Sequence, residues 1–199
     1  SMDNSFSPIR RIYHSTKQFL RNSQLLFPDN ANLIQFKYSI IDTLLMRFFQ
    51  LPSSSHASSI VDKNVIECRA DLLLMKRDCW LEGILTMTNF KMLYKQYSNT
   101  NKINFDIIGQ DVLDDENKFH ENFIRFNQEL IGLYNQCDSR RQRIVDILSL
   151  EIGMVYYQRG DYENAIILFL SCYEYYIQSN WKVIGLQILK MFVDSIEKC

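Results

Sequence analysis

The sequence predicts an all-α protein whose antiparallel helical hairpins stack as an α-solenoid. Apolar residues recur at i, i+3 and i+4 spacing along most of the chain, which is the period of an amphipathic helix. The 199 residues include only six glycines and three prolines, and this composition favours long helices over many tight β-turns. The polar breaks between periodic segments are short, so each helix is expected to lie beside its neighbours in the chain.

The most informative stretch is a predicted hairpin at residues 140–178. Gly153 is a small residue where two helices can cross, and Tyr156 follows it about one turn later. Gly160 supplies the positive φ with which a chain commonly leaves a helix. This pattern is typical of a tetratricopeptide-like hairpin near the C-terminus of the chain.

The second helix of this hairpin, from Tyr162 to Ile177, is apolar around most of its circumference. Its run from Ala165 to Leu170 leaves almost no polar face. A two-helix hairpin cannot cover such a helix alone. We therefore expect neighbouring helices to pack on it from more than one side.

The remaining elements bring the predicted number of helices to about eight. Predicted helices outside the hairpin span residues 8–27, 32–51, 60–77, 80–97, 114–136 and 181–198, with loops at 98–101 and 103–108. Asp78 is expected to end the third helix and cap the fourth. The Pro- and Ser-rich break predicts a helical hairpin over residues 1–52, a linker over 53–59 and a solenoid segment over 60–199.

Composition excludes several functional classes. A net charge of −1 gives no basic excess for binding nucleic acid, and no window reaches the roughly 20 apolar residues of a transmembrane helix. Five widely spaced cysteines form no CxxC pair, so we expect reduced thiols packed as small apolar groups. Ser1 and Met2 resemble a cloning remnant and Cys199 ends the chain within a helical pattern, so we expect a fragment of a longer protein.

No catalytic or cofactor site is predicted, and the chain is not expected to be an enzyme. It lacks a Gly-rich loop before a lysine and has no GxSxG or HExxH spacing. The histidines His14, His56 and His120 are far apart in sequence. A metal site near His120 and Glu121 is conceivable, but a solvated acidic helix start is the simpler interpretation.

Two groups of residues are candidates for binding a partner. They combine aromatic, aliphatic and arginine side chains of the kinds enriched at protein interfaces. The candidates are Tyr173, Tyr176, Trp181, Ile184, Arg140 and Arg141. Two alternatives remain open: aromatic residues at helical spacing also build cores, and arginines also solvate helix ends.

A family resemblance adds to this interpretation. It rests on residues 141–153, on the runs 168–176 and 180–181, and on a further stretch at 67–80. These segments resemble the large TRAPPII-specific subunit of fungi, the counterpart of animal TRAPP subunit ten. The likeness covers about residues 60–199.

The resemblance implies a non-catalytic part of a multisubunit tethering complex. That complex acts as a Rab guanine-nucleotide exchange factor in vesicle traffic at the late Golgi. The expected partners are other TRAPP subunits and, through the complex, a Rab GTPase. The expected location is cytoplasmic and peripheral at the trans-Golgi network. Truncated apolar faces are expected to let the fragment self-associate.

The alternative function is a peptide-binding tetratricopeptide-like adaptor unrelated to TRAPP. Departures from the repeat pattern argue against it, because Ser149 stands where an aromatic residue is usual and Ile177 where proline often closes the repeat.

Overall fold

The computed structural model describes residues 14–15, 18–19, 22, 30–49, 59–94, 115–137 and 141–199. Within these ranges the protein is all-α and contains no strand, as predicted. The principal helices are α1 (Asn30–Phe49), α2 (Ser59–Tyr94), α3 (Glu116–Tyr134), α4 (Gln142–Gln158), α5 (Tyr162–Gln178) and α6 (Lys182–Lys198). The chain divides into two compact units, Ser1–Lys118 and Phe119–Cys199.

The first unit is built on the packing of α1 against α2. Its buried apolar residues include Leu33, Ile34, Ile41, Leu45, Leu72, Leu73 and Trp80. At the edge of this core, Lys76 Nζ donates to Asp42 Oδ1 at 2.5 Å and lies 5.1 Å from the ring centroid of Tyr38. Burial of the ammonium group is the largest single effect on the pKa of Lys76 and lowers it. The hydrogen bond to Asp42, together with the Tyr38 and Asp42 charges, outweighs burial, so the pKa is raised. The pair therefore fixes one helix against the other with a charged contact.

The predicted break at Asp78 is wrong, because α2 continues through it as one helix of 36 residues. Asp78 accepts a hydrogen bond from Arg77 Nη1 at 3.1 Å, and the next two residues, Cys79 and Trp80, are buried. An aspartate in a helix interior costs only about 0.7 kcal/mol relative to alanine. Burial of the residues beside it outweighs that cost.

Several predicted boundaries fall outside the described residues. These include most of the helix at 8–27, the linker up to residue 58, and the loops at 98–101 and 103–108. Ser59, the last predicted linker residue, is the first residue of α2. The division into segments 1–52, 53–59 and 60–199 stays a prediction.

The second unit contains three helices of equal length in a regular spacing. Helices α4, α5 and α6 each have 17 residues, and their first residues, Gln142, Tyr162 and Lys182, are 20 positions apart. Turns of three residues connect them, so consecutive helices run antiparallel. One helix and the turn after it therefore form a 20-residue unit that recurs along this part of the chain.

The two turns have the same backbone hydrogen bonds. Gly160 has a φ of 76°, as predicted, and its counterpart Asn180 has a φ of 62°. After Gly160 the amide of Asp161 donates to Tyr156 O at 2.9 Å, and the amide of Trp181 makes the equivalent bond at 3.0 Å. This is the pairing of a Schellman helix end, which satisfies carbonyls that the helix leaves open.

Glycines allow the helices of this unit to approach closely. A Cβ atom on Gly153 would lie 3.0 Å from Phe169 Cε1, so α4 and α5 touch where the sequence predicted a crossing. A Cβ on Gly185 would lie 2.9 Å from Ile177 Cδ1, which marks a second close approach, between α5 and α6. Ala165 and Phe169 are fully buried beside the first crossing.

Helix α3 packs on α4 through a buried polar contact. Asn127 is fully buried, and its Nδ2 donates to Leu148 O at 3.4 Å and to Glu151 Oε2 at 3.1 Å. The expectation of a solvated start to α3 is wrong for His120, which is 6% exposed. Residues three, four and seven positions apart lie on the same side of a helix, so His120 shares one side of α3 with Phe123 and Asn127. That side faces the core, and the imidazole is therefore buried.

Helix α5 is not covered on all sides, contrary to the expectation from its apolar sequence. Ile167 is 65% exposed and Leu170 is 60% exposed. The reason is that α4 and α6 also contact each other, through Tyr157 and Asp194. They therefore lie on the same side of α5, and its opposite face stays open.

Candidate partner-binding surface

The six candidate residues occupy different environments. Tyr173 and Ile184 are half-buried and pack against the core between α5 and α6, whereas Tyr176 is 6% exposed and belongs to that core. Arg141 is half-buried at the start of α4, and its side chain makes no capping hydrogen bond. Trp181 alone among the described candidates is exposed. The sixth candidate, Arg140, lies outside the described residues.

Trp181 forms its contact with an arginine that was not among the candidates. The guanidinium carbon of Arg143 lies 4.7 Å from the Trp181 ring centroid, which is a cation–π arrangement. Arg143 is in the first turn of α4 and Trp181 precedes α6, so the contact joins these helices. Nothing in the local sequence pairs residues 38 positions apart. The regular 20-residue spacing brings them together.

A buried group of polar atoms lies near this contact. The Sγ of Cys172 donates to the carbonyl oxygen of Asp146 at 3.3 Å, and burial raises the pKa of that thiol to about 11. Asp146 is 8% exposed, and its Oδ1 accepts from Gln142 Nε2 at 3.1 Å. Burial also raises the pKa of the Tyr176 hydroxyl. The Cys172 thiol and the Tyr176 hydroxyl therefore stay protonated at neutral pH, and their side chains, like that of Asp146, belong to the buried core.

Three of the five cysteines are packed as small apolar groups, as expected, whereas Cys199 is exposed. None of the five cysteines is in a disulfide, and Cys68, Cys79 and Cys172 are buried.

A second polar cluster, not expected from the sequence, joins α4 to the end of α6. Tyr157 Oη donates to Asp194 Oδ2, and Lys198 Nζ donates to the same oxygen at 2.5 Å. Lys198 Nζ also lies 5.3 Å from the ring centroid of Tyr157 and 5.5 Å from that of Tyr162. The hydrogen bond from Lys198, followed by that from Tyr157, lowers the pKa of Asp194. The hydrogen bond to Asp194 raises the pKa of both donors.

Most of the exposed large aliphatic side chains of the second unit lie on α5 and α6. On α5 they are Ile167, Leu170 and Ile177, and on α6 they are Val183, Leu186, Val193 and Ile196. Val183 is 72% exposed and Leu186 is 62% exposed. Exposed apolar patches of this kind mark sites of protein contact. None of these exposed side chains is among the six candidate residues, and the partner-binding role of those candidates stays a prediction.

Two further findings concern the described residues as a whole. No group of three or more His, Cys, Asp or Glu side chains among them could hold a metal ion. No helix in the described part of the chain is long and apolar enough to cross a membrane.

Comparison with known proteins identifies the family. The family model described as the TR130 NTS domain matches residues 10–199. The chain belongs to this family. It is also 37% identical over 198 residues to the "Trafficking protein particle complex II-specific subunit 130" of Saccharomyces cerevisiae. These matches confirm the resemblance to the large TRAPPII-specific subunit and extend it over the first 60 residues, which the sequence pattern alone did not assign.

The match covers 99% of this chain and 17% of the yeast protein's length. The TR130 NTS domain of this chain therefore corresponds to a small part of that subunit.

Proposed function

We propose that this TR130 NTS domain is a non-catalytic scaffold segment of a TRAPPII vesicle-tethering complex. The observation that carries the proposal is its 37% identity, over 99% of the chain, to a protein named as a complex II-specific subunit. Its expected partners are other TRAPP subunits, and a Rab GTPase through the complex. The complex would act as a Rab guanine-nucleotide exchange factor in the cytoplasm, at the surface of the late Golgi.

The fold supports a scaffold of the α-solenoid type. Three 17-residue helices repeat at 20-residue spacing with two matching turns, which suits a structure that grows by adding one helix at a time. The crossing at Gly153, with Ala165 and Phe169 beside it, supports a tetratricopeptide-like hairpin. On α6, the residues Val183 and Leu186 offer an apolar face on which stacking could continue.

Purification of the full-length protein from its own cells tests membership of the complex. The protein carries an affinity tag, and mass spectrometry quantifies what remains bound after stringent washing. Other TRAPP subunits should be recovered in amounts comparable to the tagged protein. Recovery of proteins that share only a linear peptide motif, without TRAPP subunits, would support the peptide-binding adaptor instead.

A nucleotide-release assay tests the non-catalytic role. The 199-residue chain is added to a Rab GTPase loaded with a fluorescent GDP analogue, and the intact purified complex serves as the positive control. The chain alone should leave the release rate at its spontaneous value. Acceleration by the chain alone would contradict the scaffold role.

A further inference from the structure

The open face of α5 combines apolar and acidic side chains in one stripe. The stripe consists of Glu163, Ile167, Leu170, Glu174 and Ile177, and we call it the α5 acidic–apolar face. Its members follow the i, i+4, i+7 spacing of one helix side and extend over about 20 Å. Ile167 and Leu170 are 65% and 60% exposed, whereas Ile177, at 42%, lies at the edge of the face and also packs against Gly185 of α6.

The charge on this helix has one sign. Between Tyr162 and Gln178 the sequence contains no lysine, arginine or histidine. Glu174 accepts a hydrogen bond from the neutral amide of Gln178 at 3.1 Å. In the described part of the chain, neither Glu163 nor Glu174 takes part in a salt bridge. The face therefore presents two uncompensated carboxylates beside its aliphatic side chains.

We propose that the α5 acidic–apolar face docks a basic amphipathic helix from another protein chain. Aliphatic side chains at i, i+3 or i+4 spacing on that helix would cover Ile167 and Leu170. Flanking lysines or arginines would pair with Glu163 and Glu174. Such complementarity selects a partner by charge and orients it along α5. The inference rests on the proposed scaffold function, because it specifies the chemistry of one partner subunit.

The same charges disfavour other occupants. Two copies of this chain meeting through α5 would place carboxylate against carboxylate, which opposes a two-fold contact at this face. An anionic membrane surface would repel Glu163 and Glu174, since peripheral membrane helices carry lysine and arginine on their polar side.

A carbodiimide reaction on the intact purified complex tests the proposal. This reagent joins a carboxylate directly to a lysine amine in contact with it. Glu163 and Glu174 should be joined to lysines about three helical turns apart on a different protein chain, since the two carboxylates are 11 residues apart on α5. Links to a second copy of this chain, or links within the same chain, would overturn the proposal. It would also be overturned if an added small amine labelled both carboxylates in the complex as fully as in the isolated protein. Failure of the scaffold proposal is distinguishable, because no TRAPP subunits would then be recovered.

A peptide assay provides an independent test with the 199-residue chain. The probe is a fluorescent 18-residue peptide with leucines on one helix side and flanking lysines, compared with the same peptide carrying glutamate for lysine. The lysine peptide should bind and the glutamate peptide should not. Ile167→Ser with Leu170→Ser should weaken binding about a hundredfold, and Glu163→Gln with Glu174→Gln about fivefold.

The α6 variant Leu186→Ser is the matched control, because it removes an equally exposed leucine from a different face. It should leave binding unchanged. Equal binding of the two peptides, or a loss with Leu186→Ser as large as with the α5 variants, would contradict the proposal.

Discussion

At Gly153 the distance between α4 and α5 depends on the absence of a side chain. A Cβ there would lie 3.0 Å from Phe169 Cε1 and 3.2 Å from Leu168 Cβ. Because Phe169 is fully buried, it has little space into which to move. The same position carried the strongest local signal in the sequence, since a small residue followed by an aromatic one is common where helices cross.

We therefore predict that Gly153→Val destabilises the protein. Overpacking in a tight core costs about 1 to 3 kcal/mol, and the loss should be visible in urea unfolding followed by circular dichroism. Gly132→Ala is the control, because a Cβ at Gly132 meets nothing within 4 Å. At that exposed helix position alanine should raise the free energy of unfolding by about 0.5 to 1 kcal/mol. Equal effects of the two substitutions would contradict the close crossing.

Buried thiols give the protein an alkaline sensitivity. Burial raises the pKa of Cys79 and of Cys172 to about 11. An unfolded chain releases thiol protons from about pH 8.5, whereas the folded chain keeps these two until about pH 11. Between these values the unfolded state binds fewer protons, so the free energy of unfolding falls as pH rises.

We predict that Cys172→Ala reduces this dependence by about 2 to 3 kcal/mol between pH 8.5 and 11. The measurement is the free energy of unfolding as a function of pH, compared with wild type. Cys199→Ala is the control, because that side chain is exposed. If the free energy of unfolding of Cys172→Ala fell with pH as steeply as that of wild type, burial would not raise the pKa of this thiol.

At the scale of the elements, α2 shows where local pattern and tertiary packing disagree. Aspartate after a run of charged residues resembles a helix end, which is why the sequence predicted a break at Asp78. The structure keeps 36 residues in one helix, since Cys79 and Trp80 are buried immediately after it. Capping preferences are worth about 1 kcal/mol, and burial of the Trp80 side chain together with the smaller Cys79 exceeds that.

Substitution of Asp78 by proline tests the continuous helix. Proline in a helix interior removes a backbone hydrogen bond and costs about 3 kcal/mol or more. Asp78→Pro should therefore lower the free energy of unfolding by at least that amount, whereas Asp78→Ala should change it by less than about 1 kcal/mol. Tolerance of proline at this position would favour two separate helices.

The positions of the helices were largely predictable from sequence, but which faces of each helix are buried by neighbouring helices was not. The periodicity located α4, α5 and α6 to within a few residues, and Gly160 predicted its turn. The break between α5 and α6 was predicted, but the positive φ of Asn180 was not, although asparagine is the residue after glycine that most often adopts a positive φ. Exposure of Ile167 could not be foreseen, because it depends on α4 and α6 meeting on one side of α5.

The candidate surface was predictable only in part. Trp181 is exposed, but Tyr176 is core, and the cation–π partner of Trp181 is Arg143. These contacts depend on the parallel arrangement of α4 and α6. A sequence pattern within one helix does not contain that information.

At the scale of the whole molecule, the apolar face of α6 predicts self-association of the 199-residue chain. Exposure of Val183 and Leu186 leaves hydrophobic area that a second copy can bury. Analytical ultracentrifugation should show a mass that rises with concentration. Val183→Ser with Leu186→Ser should weaken this association at least about tenfold, and Gln187→Ser should not. A strict monomer at all concentrations would contradict the exposed-face account.

Cross-linking of the intact complex tests the scaffold role most directly. An amine-reactive reagent would join lysines near the α6 face, Lys182 and Lys190, to whatever lies against them in the complex. Cross-links are expected from these lysines to other TRAPP subunits or to other parts of the full-length protein, together with the carbodiimide links from α5. Lysines that remain fully reactive and unlinked within a complete complex would contradict it.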